Sequence, residues 1–491
     1  MNIKPVFGLI VLLLIIYFPL FACLDLAPLR KWDESRIAIN AFEMSHNGKW
    51  LVTYFYGQPD MWSTKPPIMV WAILLFYKIF GYNELAVRLP SAISATAICL
   101  FIYWFFANKF KKPWLGIICS TILVVSEIFV NMHCSRTGDY DTLLTLFMFL
   151  YAAFFFLYIE EERRKYLLLT LLFFILVSLT KGIQAWMLLP ALFFYTIYRK
   201  KFLWLLRQKW FYVSMFALMV FVPGFYLLRE HYNHGYIHAV MENEVGGRYN
   251  TTLEGHLQDY WFYYNAIMAI LFKDWYLFLL PGAAIGISSK HKLLSHLSVF
   301  FVMVICSYFF ILSSGATKLW HYVMPLAPFL SVIAGIFIYT IFDFLYTSDI
   351  IKERLRFNCM PFVFIFLIFI APYRHILNVT LFGDQAQYWT DYTEDMSQFL
   401  MYVLHEKRNI DNCVVPDCTD FNPETQNLLW YADVIQAKNK TIKFTNDLNF
   451  ANTQKIVAYK QETKDYIQNH YKTHIVQTYA SVMVYNIDGP Q

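Results

Sequence analysis

Of the 491 residues, 58% are hydrophobic, 20% aromatic and only 15% charged, where a soluble domain carries about 25% charged residues. That balance excludes an ordinary soluble protein and points to a polytopic membrane protein. The net charge of +5 is small, and the Lys and Arg stand in short clusters between apolar runs, which gives no support to a nucleic-acid partner.

The first apolar run, about 6–24, follows Lys4. It resembles a signal peptide, but it is long enough to span and lacks a convincing small-residue cleavage site, so a retained first helix is expected. The polar stretch "LRKWDESRIAINAFEMSHNGKWLVTYFYGQPDMWSTKPP" follows from Leu29. Next comes "PPIMVWAILLFYKIF", 66–80. It is short and opens on two prolines, so it is expected at the outer interface or at the start of a bent helix. Further runs of the length that crosses a bilayer, about 20 apolar residues, lie near 88–108, 113–132, 141–159, 166–180, 182–198, 210–228, 265–289, 293–313, 320–345 and 357–377. With the first, these make about eleven spans, with eleven to thirteen as the range.

Charge placement orients them. With the N-terminus inside and 66–80 not crossing, "KFKK", "EEERRK", "YRKK…RQK", "SSKHK" and "KERLR" all fall on the cytoplasmic side, as the positive-inside rule requires. The loops 25–87 and 229–264, and the tail from about 379, are then outside. The tail is polar, with strand-like "KIVAY", "HIVQTY" and "SVMVYNI" and a helical stretch near 461–470. A membrane domain, 1–378, and a small α/β extracytoplasmic domain, 379–491, are therefore expected. Of eight cysteines, Cys413 and Cys418 in "CVVPDC" are either a disulfide or two thiols, and the others lie mostly in or beside apolar spans. No internal repeat of the kind that marks a transporter is visible.

On this topology the outer side collects Asp33, Glu34, Arg36, Lys65, Arg88, Arg136, Asp139, Asp141, Lys181, Glu242, Glu244, Arg248 and Lys318. Ionisable groups at membrane depth are costly and default to function. A mixture of acids and bases suits a site that handles an anion and removes a proton. Asp33, Arg36 and Asn40 stand i, i+3, i+7 and share a helix face, with Glu34 pointing elsewhere. A solvated loop helix would show the same spacing. Lys65, before two prolines, is in extended backbone and also suits a snorkelling interfacial lysine. Asp139 and Asp141 also suit a helix cap, and Lys318 with Tyr322 an aromatic belt and its anchor. There is no HExxH, CxxC, P-loop or GxGxxG. His234 and His238 stand i, i+4 in a short external loop and carry no metal assignment. Metal dependence stays open, with a divalent ion as the candidate.

The ordered motifs resemble the GT-C glycosyltransferases, in particular the bacterial aminoarabinose–lipid A transferases and their protein O-mannosyltransferase relatives. Asp33-Glu34, Arg36, Gly48 to Val52 and Lys65-Pro66 are similar to the family's first external loop. "DYDTLLTLF" supplies Asp141, "LTKGIQAW" the family's Thr-Lys-Gly, and "ENEVGGRY" Glu244 and Arg248. "TKLWHYVMPLAP" supplies Lys318 and Tyr322. Val245 stands where the family has a histidine, and Thr142 where the aminoarabinose enzymes commonly have a proline. The resemblance covers most of residues 1–345.

What the resemblance implies is a multi-pass inner-membrane enzyme. It would transfer a monosaccharide from a polyprenyl-phosphate donor to a lipid A-like glycolipid, a polysaccharide or a protein outside. Asp33 would be the base or orient the nucleophile. Lys65, Arg248, Lys318 and Tyr322, with Arg36, would hold the donor phosphate, and Glu34, Asp139, Asp141 and Glu244 would hold or orient sugar and acceptor. The rival from another class is a flippase for a lipid-linked sugar, which needs a charged path through spans whose middles read as apolar.

Overall fold

A computed structural model describes residues 5–130, 133–250, 258–348, 359–382, 392–406, 413–416, 425–438 and 442–491. It is a multi-pass helical membrane fold with a small C-terminal sheet domain. The chain divides into two compact units. One holds 1–22, 59–69 and 88–381, and the other 23–58, 70–87 and 382–491.

Seven helices among the described residues are long and apolar enough to cross a membrane: Glu84–Lys109, Tyr140–Glu161, Arg164–Tyr198, Lys209–Tyr232, Lys292–Ser314, Trp320–Thr347 and Met360–Leu381. An eighth crossing arises if Phe262–Leu271 and Tyr276–Ile287, bent by 112°, count as one. The expectation of about eleven differs for identifiable reasons. The run at 113–132 breaks after Pro113–Val124 and resumes only as Glu127–Val130. Twelve helical residues rise about 18 Å, short of the roughly 30 Å hydrocarbon core. The runs 166–180 and 182–198 join into one long helical segment, loosened where Gly182 (φ 58°) takes a conformation open mainly to glycine. The first helix, Pro5–Phe21, and Ile68–Phe80 are likewise short.

Within the first unit, Tyr140–Glu161 is central and almost wholly buried, whereas Met360–Leu381 presents most of its sides outward. Phe149 packs edge-on against Phe329, which meets Phe301 in the same way. Close helix approach depends on glycine: a Cβ on Gly282 would stand 2.0 Å from the Ile333 carbonyl oxygen, the small-residue contact typical of membrane helices. At one end, Glu160 accepts from Arg199 (2.6 and 3.2 Å), Tyr195 (2.7 Å) and His296 (2.9 Å). Lys109 pairs there with Glu161. The His291 ring lies 5.7 Å from that of Phe110, so the basic clusters 109–112, 160–165, 198–209 and 288–292 are drawn together.

The second unit is built on helix Asp33–Asn47 and the tail. A two-stranded hairpin, β1 (Tyr54–Phe55) and β2 (Gln58–Pro59), turns through Tyr56 and Gly57, both at positive φ. The tail forms β3 (Cys413–Val415), β4 (Lys443–Phe444), β5 (Lys455–Ala458), β6 (Tyr471–Tyr479) and β7 (Val482–Pro490) in the order β4-β3-β5-β7-β6. β3 pairs in parallel with β4 and β5, and β7 runs antiparallel to β5 and β6. The strand-like runs of the tail fall on β5, β6 and β7, and the stretch between them on helix Gln461–His470. Ile456, Ala458, Ile467, Tyr485 and Ile487 form the core of this sheet. Cys418 lies outside the described residues.

Candidate active site

In the first unit a cavity of about 320 Å³ opens between the segment Thr64-Lys65-Pro66 and three helices. Its walls are mostly apolar, including Ile183, Trp186, Val222, Ile237, Val240 and Met241, and its charged lining is Lys65, Lys181 and Glu244. Proline on the far side of Lys65 keeps this backbone extended, so it depends on outside partners. Tyr236 donates its hydroxyl to the Thr64 carbonyl at 2.7 Å, and Asn243 donates to the Met61 carbonyl at 3.0 Å. The Asp60 carboxylate accepts from the amides of Trp62 and Ser63. Lys65 Nζ is 3.8 Å from Glu244 Oε1 and 5.4 Å from the Tyr140 ring centre. That is an ion pair beyond hydrogen-bond length.

Lys181 is held more tightly. Its Nζ donates to both carboxylate oxygens of Asp141, at 2.7 and 2.8 Å, and stands 5.2 Å from the Tyr322 ring centre. Asp141 is fully buried and stands behind the lysine, outside the cavity lining. Tyr322 is buried, and its carbonyl accepts from Tyr308 at 3.0 Å. Asp139 caps the helix that carries Asp141: its side chain accepts from the Tyr140 amide at 2.6 Å. The other oxygen of Asp139 meets His133 Nδ1 at 2.6 Å, and the His133 ring lies 4.5 Å from that of His321. Burial would raise the Asp139 carboxyl, but the hydrogen bond and charge of His133, with Lys181 and His321 nearby, hold it well below the usual carboxylate range.

Lys318 is buried and donates to the carbonyls of Gly315 (2.6 Å) and Gln258 (3.2 Å). Burial pushes its ammonium below the usual lysine value, against the pull of Asp259. Arg248 belongs to the wide helical turn Met241–Asn250, and its side chain lies outside the described residues. Glu242 is exposed and pairs with His238 at 3.4 Å. Arg136 donates to the carbonyls of Pro19, Ala22 and Thr380 and so ties chain segments together.

Asp33, Glu34 and Arg36 belong to the second unit. Asp33 is the first residue of helix Asp33–Asn47 and is half-buried. Trp32 before it has φ 66°, a strained value for a bulky residue. Arg36 places its guanidinium 4.2 Å from the Phe55 ring centre, and Asn40 donates to the Tyr54 carbonyl at 2.7 Å, so the stripe starting at Asp33 packs on β1. Glu34 is buried and accepts from the Arg30 amide at 2.8 Å.

The first unit thus brings together Lys65, Glu244, Asp139, Asp141 and Tyr322, and adds two residues that sequence reasoning did not assign to the site. Lys181 was visible as a charge in "LTKGIQAW", but nothing local reveals that Asp141, forty residues away, aims it at the cavity. His133 is a lone histidine in "HCSRTGDYD", with only Asp139 six residues on as a signal. Chemically, two ammonium groups on an apolar wall suit an anion that carries an apolar chain.

Comparison with known proteins agrees with the motif order. The family profile described as Dolichyl-phosphate-mannose-protein mannosyltransferase matches residues 64–226. An undecaprenyl phosphate-alpha-4-amino-4-deoxy-L-arabinose arabinosyl transferase of Pseudomonas savastanoi pv. phaseolicola is 34% identical over 125 residues, 24% of this chain and 23% of that protein. An uncharacterized protein of Aquifex aeolicus is 26% identical over 314 residues, 62% of this chain and 59% of its own length. The match to the arabinosyl transferases therefore spans about a quarter of their length. The crystal structure of ArnT from Cupriavidus metallidurans bound to undecaprenyl phosphate superposes with a TM-score of 0.65 at 15% identity, covering 99% of each chain. Profile, relatives and motif order point the same way: over part of its length the chain is similar to the dolichyl-phosphate-mannose-protein mannosyltransferases and the aminoarabinose transferases, and it shares the fold of the latter.

Proposed function

We propose that this chain transfers a monosaccharide from a polyprenyl-phosphate donor to an acceptor at the extracytoplasmic face of the inner membrane. The observation that carries the reading is the apolar cavity lined by Lys65 and Lys181. It suits a phosphate with a prenyl chain better than a free sugar, which would need many polar partners. The relatives' names, with undecaprenyl phosphate and an amino sugar in them, support that donor class.

In this reading the donor's anomeric carbon is attacked as phosphate leaves. The leaving phosphate gains charge and needs cations placed beforehand. Lys65 and Lys181 supply them at the cavity, Lys318 and Arg248 act on the same anion, and Tyr322 packs over Lys181. Asp141 orients Lys181 and Glu244 holds Lys65. Asp139 anchors the start of its helix and His133. Asp33 takes the proton from an acceptor hydroxyl, or orients an acceptor phosphate, with Glu34 and Arg36 beside it on the same helix. The bias of basic clusters supports an outside location for Asp33 and the C-terminal domain, from about 379, with the N-terminus in the cytoplasm. The acceptor class is a glycolipid of the lipid A kind, a polysaccharide or a secreted protein.

The test is mass spectrometry of lipid A, other glycolipids and secreted glycoproteins from a deletion strain. The expected result is loss of one hexose, pentose or amino sugar, restored by the wild-type chain and not by Asp33→Asn. An unchanged glycan profile refutes the transferase reading. Full restoration by Asp33→Asn removes Asp33 from the base role.

A further inference from the structure

Helix Asp33–Asn47 begins from an unusual backbone. Trp32, directly before Asp33, sits at φ 66° and ψ −122°. Such strain persists only where surrounding contacts over-determine it. Three residues upstream, both backbone polar groups of Leu29 are taken by one helix of the C-terminal domain, Gln426–Lys438. The Leu29 amide donates to the Tyr431 hydroxyl at 3.1 Å, and the Leu29 carbonyl accepts from Asn427 at 3.3 Å. Leu29, Tyr431 and Asn427 are all buried. Tyr431 in turn donates to Glu84 Oε1 at 2.7 Å, and the other oxygen of that carboxylate meets His405 Nε2 at 2.7 Å. Glu84 is fully buried. Next to Tyr431, Trp430 donates to the Tyr77 hydroxyl at 3.0 Å, and Tyr77 donates to the Ala38 carbonyl at 3.3 Å, a second tie to the same helix.

We propose that the C-terminal domain is a positioning element of the reaction: through Tyr431, fixed by Glu84, it clamps Leu29 and so holds the strained backbone that presents Asp33. Tyr431 and Glu84 are positioning residues, acting on the first loop rather than on substrate. This rests on the reading of Asp33 as base or orienting group. The clamp joins residues about 400 apart in sequence, and all its members belong to one compact unit. A domain that served only as an acceptor platform would not need to take both backbone groups of Leu29, four residues before the helix.

The experiment compares the full-length wild type with Tyr431→Phe, Glu84→Gln and Asp33→Asn. It reads amide hydrogen exchange over residues 29–37 and the sugar-bearing product of a complemented deletion strain. Tyr431→Phe deletes one oxygen and keeps the ring, so the domain is expected to stay folded, with exchange over 455–490 unchanged. Exchange over 29–37 should quicken roughly tenfold, the scale of one lost buried hydrogen bond, and product should fall at least as much. Glu84→Gln keeps an acceptor oxygen for Tyr431 and should stay closer to wild type in both readouts. Unchanged exchange over 29–37 in Tyr431→Phe overturns the clamp, and so does a loosened loop with undiminished product. Asp33→Asn separates the two ideas. If it retains full product, the role of Asp33 fails while the exchange data still judge the clamp. If it loses product with normal exchange and Tyr431→Phe stays fully active, only the clamp fails.

Discussion

Replacing Lys181 with methionine separates the structural from the chemical share of the buried pair. Asp141 is fully buried, Lys181 is only 6% exposed, and both carboxylate oxygens lie within 2.8 Å of its Nζ. Removing the lysine leaves a desolvated carboxylate with no compensating charge, which costs about 3–5 kcal/mol. Replacing both partners with apolar residues of similar volume, Asp141→Leu with Lys181→Met, removes the desolvation cost along with the attraction and should return most of that loss. The assay is thermal unfolding of the purified protein in detergent, followed by tryptophan fluorescence. The single variant should melt several degrees below wild type and the double variant should recover at least half of the difference. Both should lack transfer activity, because Lys181 lines the cavity. A single variant that melts with the wild type, or a double variant no better than the single, refutes the argument. So does a double variant that is stable and fully active.

Two further predictions concern pH. Asp139 is held below the usual carboxylate range in the folded protein, so its contribution is present above that range and lost as pH falls through the lowered value. His133→Ala removes the largest opposing influence on burial, and the acid limb of a melting-temperature profile should move to higher pH. An acid limb that does not move removes His133 from this role. Asp433 shows the opposite sign. Burial, helped by the nearby charge of Glu43, pushes its carboxyl up to about 7. The folded state therefore prefers the protonated acid, and stability falls as pH rises from about 4 to about 7, by on the order of 4 kcal/mol. Asp433→Asn should flatten that slope in a denaturation series at pH 4, 5.5 and 7.5, and an unchanged slope would place the titration elsewhere.

Why some of this architecture was readable from sequence and some was not follows from the range of the interactions. The long spans announce themselves by hydropathy, and β5, β6 and β7 by short runs rich in β-branched and aromatic residues, whereas the count of eleven was too high because the runs at 6–24 and 113–132 form short helices and those at 166–180 and 182–198 form one segment. Local breaks were less visible. The run 265–289 is apolar almost throughout, yet the chain bends by 112° around Phe272–Trp275, where Lys273 pairs with Glu127 and His375 from other helices. In the site, Asp139 as a helix cap was readable because capping is local. The Asp33, Arg36 and Asn40 stripe was readable as a helix face, but its partner, β1, was not. The pairing of Lys181 with Asp141, and that of Leu29 with Tyr431, leave no local pattern because they join distant segments.

The central claim is that the cavity receives a polyprenyl phosphate and that Lys65 meets its phosphate. Native mass spectrometry of the purified protein can measure this directly, by titrating undecaprenyl phosphate against undecaprenol, the same chain without the anion. The wild type should retain the phosphate over the alcohol. Lys65→Ala should lose roughly 10–100-fold in phosphate affinity, as expected for a charged hydrogen bond of about 1.5–3 kcal/mol, with alcohol binding unchanged. Equal retention of the two lipids by the wild type, or undiminished phosphate binding in Lys65→Ala, would contradict it.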